Sequence, residues 1–454
     1  MKRPILLTSL AAAALLLTGC TAVAATGATA DETAQADSVA SATLLTDFEG
    51  DLSPNEVLAA NADYTTVNDD EWSADDAVSV TLSGSTAKSS GSGVSINAST
   101  VTITEAGVYR LSGSLDGQVI VAAPEDALVV LVLDGAKIAN SAGSAIEVQS
   151  ADDVAIYLEA GTTNSVSDAA SYADDAEANS AIYSKSDLTI SGTGSLSVLG
   201  NGNDGITSKD DLVVLSGNIT VTAADDAMRG KDALVVEGGS LSLTATGGDG
   251  LKSDQDADET KGYVLVQGGD ITISAGDDGV QGQTDTVITG GTLTVSAADD
   301  GVKAENIVSI GGGDITVSQS EEGVEAINVA IFAGTLHITA ADDGINASGL
   351  NTGGQDRETD TGERLEVSGG TIAVDAKFDG LDSNGTITIT GGDLTITSAD
   401  NGGDSPLDGN GEVTVTVATI TANGAAYDPA TAGRGGFGGV EGGGRGPGAM
   451  PPAQ

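Results

Sequence analysis

Along most of the chain, apolar residues come in short runs of three to five positions, and in most of these runs they alternate with polar ones. Val302-Lys303, Ile307-Val308-Ser309-Ile310 and Ile315-Thr316-Val317 are typical. Alternation with period two marks a strand with one face buried. β-Branched residues fill the runs and Gly, Asp and Asn separate them, which is the punctuation of strands and tight turns. No helical spacing of comparable length interrupts them.

The runs repeat as a group. Asn203-Asp204-Gly205-Ile206 recurs as Asp225-Asp226-Ala227-Met228, Gly248-Asp249-Gly250-Leu251, Asp277-Asp278-Gly279-Val280 and Asp299-Asp300-Gly301-Val302. Glu321-Glu322-Gly323-Val324, Asp342-Asp343-Gly344-Ile345 and Phe378-Asp379-Gly380-Leu381 continue the series. The spacing is about 22 residues, lengthened twice by the insertions Asp254 to Lys261 and Ser348 to Glu363. A Gly-Gly signature (Gly268-Gly269, Gly290-Gly291, Gly312-Gly313, Gly391-Gly392) keeps the same period. Three short strands in about 22 residues describe one coil of an all-β, single-stranded parallel β-helix. Propeller blades need about 40 residues and calcium-binding nonapeptide rolls about 9, so both are excluded. Ile206, Met228, Leu251, Val280, Val302, Val324, Ile345 and Leu381 are expected to stack as one inward column.

Composition extends this picture. With one Trp, seven Tyr and four Phe, the core must be aliphatic. The 67 acidic and 17 basic residues leave a formal charge of −50, which repels nucleic acid and anionic lipid and favours polyvalent cations or neutral partners. Lys2-Arg3, an apolar stretch too short to span a bilayer, and Leu17-Thr18-Gly19-Cys20 resemble a bacterial lipoprotein signal and its processing box. The expected organisation is a signal peptide over 1–19, a lipid-bearing Cys20, a tether over 20–43, an N-terminal capping region over 44–93, the β-helix over 94–425 and a Gly/Pro-rich tail over 426–454. The expected location is the extracellular face of the cell membrane, as a monomer held there by lipid. Cys20 is the single cysteine, so no intramolecular disulfide forms.

The repeated acids carry the candidate chemistry. Equivalent residues of successive coils lie about 4.8 Å apart. Asp204, Asp226, Asp249, Asp278, Asp300, Glu322, Asp343 and Asp379 should form one row, with Asp225, Asp277, Asp299, Glu321 and Asp342 beside it. Two unit charges at that spacing repel by roughly 3–4 kcal/mol at an effective dielectric of about 20. Either the carboxylates hold their protons or cations sit between them. Paired rows of oxygen donors suit Ca²⁺, with Asp277-Asp278 and Asp299-Asp300 as the best step. A single Asp before each Gly is also what a tight turn selects; the second acid is not.

Further motifs are Gly107-Val108-Tyr109-Arg110-Leu111-Ser112-Gly113, Leu133-Asp134-Gly135-Ala136, Ala181-Ile182-Tyr183-Ser184-Lys185 and Lys261-Gly262-Tyr263. With the acid series, and over roughly residues 60 to 425, the chain resembles the bacterial carbohydrate-binding β-helix family of cell-surface proteins from clostridia and their relatives. The resemblance implies a right-handed, pectate-lyase-like solenoid, bound calcium with the acids above as ligands, and binding of polysaccharides such as cellulose or polygalacturonate. Glu321-Glu322 and Ala227 depart from the pattern. The implied function is calcium-stabilised polysaccharide binding without catalysis. The alternatives are a calcium-dependent polysaccharide lyase, for which Lys209, Arg229, Lys231, Lys252 and Lys303 are the nearby bases, and a structural surface protein or adhesin. His337, the one histidine, should face outward on a strand. The two insertions should wall a groove over the acids.

Overall fold

The computed structural model describes residues 50–349, 359–401 and 403–428. The signal segment, Cys20, the tether, the tail beyond 428 and most of the second insertion lie outside the described residues.

Coil follows coil as the spacing predicts. In one turn the strands are Val302–Ala304, Ile307–Ile310 and Asp314–Gln319. Each pairs in parallel with its equivalent in the next turn, with Val302 opposite Val324, Ile307 opposite Asn328 and Asp314 opposite Thr335. The shortest strands of successive turns build a 14-stranded sheet. The second and third strands join a 27-stranded sheet, because Gly107–Asp116 and Leu128–Ala139 run unbroken around the corner between those two faces. Ile206, Met228, Leu251, Val280, Val302, Val324, Ile345 and Leu381 are each 0% exposed and stack in register. A one-residue slip would turn the whole column outward, so burial fixes the register.

Glycine follows the acid for a reason of packing. A Cβ on Gly279 would lie 2.3 Å from Val295 Cγ1 and 2.5 Å from the Gly301 carbonyl oxygen. Gly205, Gly250, Gly301, Gly323, Gly344 and Gly380 meet a β-branched Val or Ile in the same way. Ala227 is the exception, and in its coil the register places Leu243 where the others have Val or Ile. Without a branch at Cβ, Leu leaves room for the methyl group. Gly313 represents a second kind: its φ of +92° in the Gly-Gly turn is a conformation open chiefly to glycine.

The second strand departs from simple alternation. Ala233–Val236, Tyr263–Val266, Asp285–Ile288 and Ile307–Ile310 are buried on both faces. Their outward column is Val213, Val235, Leu265, Val287, Ser309 and Ala330. Residues 50–77 cover it. This strap runs against the direction of coiling. Ser309 donates to the Leu52 carbonyl at 2.6 Å, Tyr263 Oη to the Ala62 carbonyl at 2.9 Å, and the Val67 N–H to Thr189 Oγ1 at 3.0 Å. The helix Pro54–Ala60 buries Val57 against this face, and Trp72 meets Tyr157 edge-on at 5.0 Å between ring centres. Where the strap begins, Arg364 holds the Gly50 carbonyl at 2.9 Å, and from there the column turns polar: Glu366, Thr388, Thr414. The face is thus apolar only where it is covered. The hairpin Val78–Gly84 and Thr86–Ser89 closes the first coil, with Val78–Gly84 parallel to Gly107–Asp116.

The strap yields a test. Val132 is 0% exposed in the outward cluster against which Trp72 packs, and stands in register with Tyr157, the ring that Trp72 meets. Val132→Asp places a carboxylate there without a partner. The expected result is a red shift of Trp72 emission with the far-ultraviolet circular dichroism of the coils retained; unshifted emission would show that the strap does not depend on this contact.

Candidate functional site

The acids sit at the corner between the third strand of one coil and the short strand of the next. The inner acid of each pair is held as a substitute for backbone. Asp226 Oδ1 accepts the Asp249 N–H at 2.9 Å, Asp249 Oδ1 the Asp278 N–H at 2.8 Å, and Asp278 Oδ1 the Asp300 N–H at 2.8 Å. Asp343 Oδ1 likewise accepts the Asp379 N–H at 2.7 Å, and Asp379 Oδ1 accepts from Ser405 N–H. The carbonyl of each inner acid accepts from the Gly or Ala N–H one coil back, as from Gly279 to Asp300 at 2.8 Å. Asp204, Asp226, Asp249, Asp278, Asp300 and Asp379 are buried. The outer acids are not: Asp225, Asp299 and Asp342 are half-buried, and Asp277 and Glu321 are exposed. One oxygen of Asp226, Asp249, Asp278, Asp343 and Asp379 is therefore committed to the fold and the other faces the corner.

The faces of the corner differ along the helix, and the deciding residue stands three places after the inner acid. In register, the outward column of the short strands reads Arg229, Lys252, Gln281, Lys303, Glu325, Asn346, Asp382 and Asp408. Lys252 Nζ lies 2.6 Å from Asp249 and 3.6 Å from Asp226. Lys303 Nζ lies 2.6 Å from Asp300, 3.9 Å from Asp278 and 3.3 Å from Glu325. Arg229 reaches Asp204 at 3.7 Å and also pairs with Asp254. From Asp204 to Asp300, every inner acid thus has a cation of the protein itself. Among the described residues Glu322, Asp343, Asp379 and Asp382 have none.

Burial raises carboxyls along the whole ladder, Asp204 to about 7 among them, and in the last coils no cation of the described residues opposes it. Burial, reinforced by Asp343, Asp379 and Asp408, pushes Asp382 up to about 8. Burial raises Asp379 to about 7 and Asp343 to about 6. Glu322 is pushed to about 9 by burial and by the neighbouring Asp300 carboxylate. The ladder is interrupted here, and Asp300 Oδ1 is left buried with no hydrogen-bond partner. Asn346 Oδ1, in the same outward column as Asp382, is also buried without one. Asp278 is raised to about 8 by burial, which outweighs the pull of Lys303.

Oxygen donors in this arrangement fit a hard cation. One carboxylate oxygen from each of Asp278, Asp299 and Asp300 comes within 4.8 Å of the others, and the same holds for Asp249, Asp277 and Asp278, for Asp204, Asp225 and Asp226, and for Asp300, Glu322 and Glu325. The 278–300 step singled out from the sequence does gather its acids, but Lys303 already stands on it. The orphaned oxygen of Asn346 lies among the acids without cations, and that of Asp300 at the boundary where Lys303 is the last cation, so Glu322 and Asp343–Asp379–Asp382 are where an added ion changes the energy most. Glu325, Asn346 and Asp382 were not evident as site residues from the acid motif. The period-22 column three places downstream would have revealed them.

Other expectations sort as follows. His337 is exposed on the strand Thr335–Thr339. The first insertion leaves after the short strand Leu251–Ser253, at the opposite edge from the acids. It folds towards the strap, with the Ala62 N–H donating to the Thr260 carbonyl at 2.7 Å; Asp254 reaches back to Arg229. The segment that does rise at the acid corner is 168–179, ahead of the first clear repeat. Its Tyr172 Oη donates to Asp168 at 2.7 Å. The segment walls a cavity of about 500 Å³ whose lining includes Gln118, Asn140, Ser144 and Glu147.

A sequence model of the family described as carbohydrate-binding domain-containing protein matches residues 97–347, which hold most of these coils but not those of Asp379 and Asp382. The chain belongs to this family. A carbohydrate-binding domain-containing protein of Acetivibrio thermocellus is 41% identical over 136 residues, which is 29% of this chain and 48% of that relative. The match therefore spans about half the length of the curated relative. A solved structure described as a polysaccharide lyase-like protein from C. thermocellum, in a gadolinium derivative, shares 34% identity over 52% of this chain and 93% of its own, with a TM-score of 0.44.

Two outcomes follow for this member of the carbohydrate-binding domain family. A carboxyl whose pKa is raised by folding stabilises the fold at low pH and loses that contribution as pH rises through the raised value. With Asp343, Asp379, Asp382 and Glu322 at about 6, 7, 8 and 9, the window lies on the alkaline side of neutrality as well as below it. In chelator, the melting temperature should fall as pH is raised from about 5 to about 9, and calcium should remove most of the fall; a melt that rises with pH in chelator would contradict the assignment. Separately, Lys303→Met should cost about 2 kcal/mol in chelator, because it strips the cation from two buried acids. Added calcium should recover more stability in Lys303→Met than in the wild type, and calorimetric melts check both.

Proposed function

We propose that this chain is an extracellular carbohydrate-binding lipoprotein, stabilised by calcium, that holds a pectin-like or cellulose-like polysaccharide without cleaving it. The observation that carries the reading is the family match over residues 97–347. Calcium is supported by the coils with acids and no cation of their own, where an ion would relieve Asp382 and Asp379 and give the bare oxygen of Asn346 a partner. The membrane would be met only through the lipid on Cys20.

Three of the five candidate bases speak against cleavage, while Lys209 and Lys231, with no acid within ion-pair distance among the described residues, keep a lyase as the alternative. A lyase must free an Arg or Lys to take a proton from the sugar. Arg229, Lys252 and Lys303 are each ion-paired with ladder acids, and those carboxylates outweigh burial, which acts the other way, to hold Lys252 and Lys303 firmly protonated.

Affinity electrophoresis through gels containing polygalacturonate, a soluble cellulose-type glucan or no polysaccharide tests the reading, with calcium and with EDTA. Retardation in at least one polysaccharide gel, weakened by EDTA, is expected. Equal mobility in all gels would refute carbohydrate binding, and release of ultraviolet-absorbing unsaturated uronate would identify a lyase instead.

A further inference from the structure

The strap carries charge of one sign. Residues 50–77 hold eight Asp and Glu and no Lys or Arg. They nevertheless lie across a second row of acids, at the corner between the short strands and the second strands such as Asp187–Gly192 and Asp211–Val214, away from the ladder. Asp153 and Asp187 pair in register on successive coils, and on the next coil the Asp211 N–H donates to Asp187 Oδ1 at 3.1 Å. Asp210 joins them: carboxylate oxygens of Asp187, Asp210 and Asp211 come within 4.8 Å of one another. Lys261 acts on Asp210 from nearby but is ion-paired with Asp232.

The acids hold the strap, and the strap covers the acids. The Thr65 N–H donates to Asp211 Oδ2 at 2.8 Å, Asn61 Nδ2 to Asp285 Oδ2 at 2.8 Å and Tyr64 Oη to Glu237 at 3.0 Å. Asp211 and Asp285 are left 7% and 4% exposed. Burial raises Asp211 to about 7 against the pull of the Thr65 N–H, and Asp187, Asp210 and Asp232 add to the rise. Burial with Asp187, Asp152 and the strap's own Glu71 brings Asp153 to about 6, and burial with Asp187 and Asp232 does the same for Asp210 against Lys261. Burial brings Asp285 to about 6 against its hydrogen bonds from Asn61 and Asn306. The phenols here, Tyr64, Tyr157 and Tyr263, are pushed up by burial and by acids that include the strap's Asp63 and Asp69, and stay protonated. A carboxyl raised by docking favours the docked strap fully below its ordinary value and loses that contribution as pH rises through the raised one. For Asp211 the window runs from 3.8 to about 7.

We infer that residues 61–72 are a pH-set latch: they lie closed on the coils while the acids beneath them are neutral, and lift as those acids ionise, with the coils intact. Like charge on both sides supplies the opening force. Lifting uncovers Val130, Val132 and Ala155, the cluster against which Val67 and Trp72 pack. The second strands pair with one another and not with the strap, so lifting breaks no sheet hydrogen bond. The beginning of the strap is held differently, by Arg364 on the Gly50 carbonyl and Ser309 on the Leu52 carbonyl, contacts in which no carboxylate takes part. It is the fixed end from which the rest lifts.

The test is amide hydrogen exchange of the full chain between about pH 5 and about pH 8, in chelator at low salt, corrected for the intrinsic pH dependence of exchange. Each proton released on lifting shifts the latch about tenfold per pH unit inside the window. Protection of residues 61–72 should therefore fall about tenfold or more across the range, with Trp72 emission moving to the red, while the coil strand Ala233–Val236 keeps its protection. In Asp153→Asn/Asp211→Asn an amide keeps an acceptor for Thr65 and cannot ionise, and the fall should stay below about threefold. Asp187→Asn, which removes the charge acting on both acids, should shrink the fall as well. Constant protection in the wild type, an equal fall in the Asn pair or an undiminished fall in Asp187→Asn would overturn the latch. Loss of protection in Ala233–Val236 together with the strap would assign the transition to the coils and overturn it too.

Discussion

A parallel coil sets like residue on like at a spacing of about 4.8 Å, and everything else in this protein answers to that constraint. For aliphatic side chains the stacking is pure gain, and the inward column from Ile206 to Leu381 uses it coil after coil. For carboxylates it is a standing cost. Most of the inner acids are retained because one oxygen replaces a backbone carbonyl at the corner, as Asp226, Asp249, Asp278 and Asp343 do by bonding the N–H of the next acid in line. The remaining charge has to be met by something outside the ladder, and the protein meets it in two ways. Through Asp300 it places its own Arg229, Lys252 and Lys303 three residues downstream; beyond that it substitutes Glu325, Asn346, Asp382 and Asp408, and the acids are left to protons or to a metal ion.

The same constraint explains the two outer faces. The third strands present exposed Ser and Thr, as in Ser240–Ala245, and need no cover. The second strands present Val213, Val235, Leu265 and Val287, and such an apolar stripe on a long open sheet invites association unless it is covered. The strap of residues 50–77 covers it with Leu52, Val57 and Val67 and ties successive coils together by contacts far apart in sequence, which nearest-neighbour stacking alone does not supply.

Much of this was legible in the chain itself. The period of about 22 residues and the recurrent Asp-Gly-aliphatic unit were enough to specify a three-strand coil and the membership of its inner column. The strap was not legible as such, because residues 50–77 carry no repeat and their meaning lies in what they touch. Its trace was nonetheless present: Ala233-Leu234-Val235-Val236 and Tyr263-Val264-Leu265-Val266 are continuous apolar runs, the mark of strands buried on both sides. Likewise the acid motif identified the ladder but not which rungs were already neutralised. That depends on a single side chain per coil, Lys303 in one and Glu325 in the next, and its distance from the acids is set by the pleat. Glycine after the acid read as a turn preference and is in fact a packing requirement, visible only once Val295 is seen to fill the space.

Crystals grown in calcium and analysed by anomalous scattering test the central claim most directly. If charge is balanced as described, ions will lie beside Asp343, Asp379 and Asp382 and beside Glu322 and Glu325, while the Asp226–Asp249 step keeps Lys252 and holds no ion. Calcium at the Asp226–Asp249 step, with the last coils empty, would contradict the account.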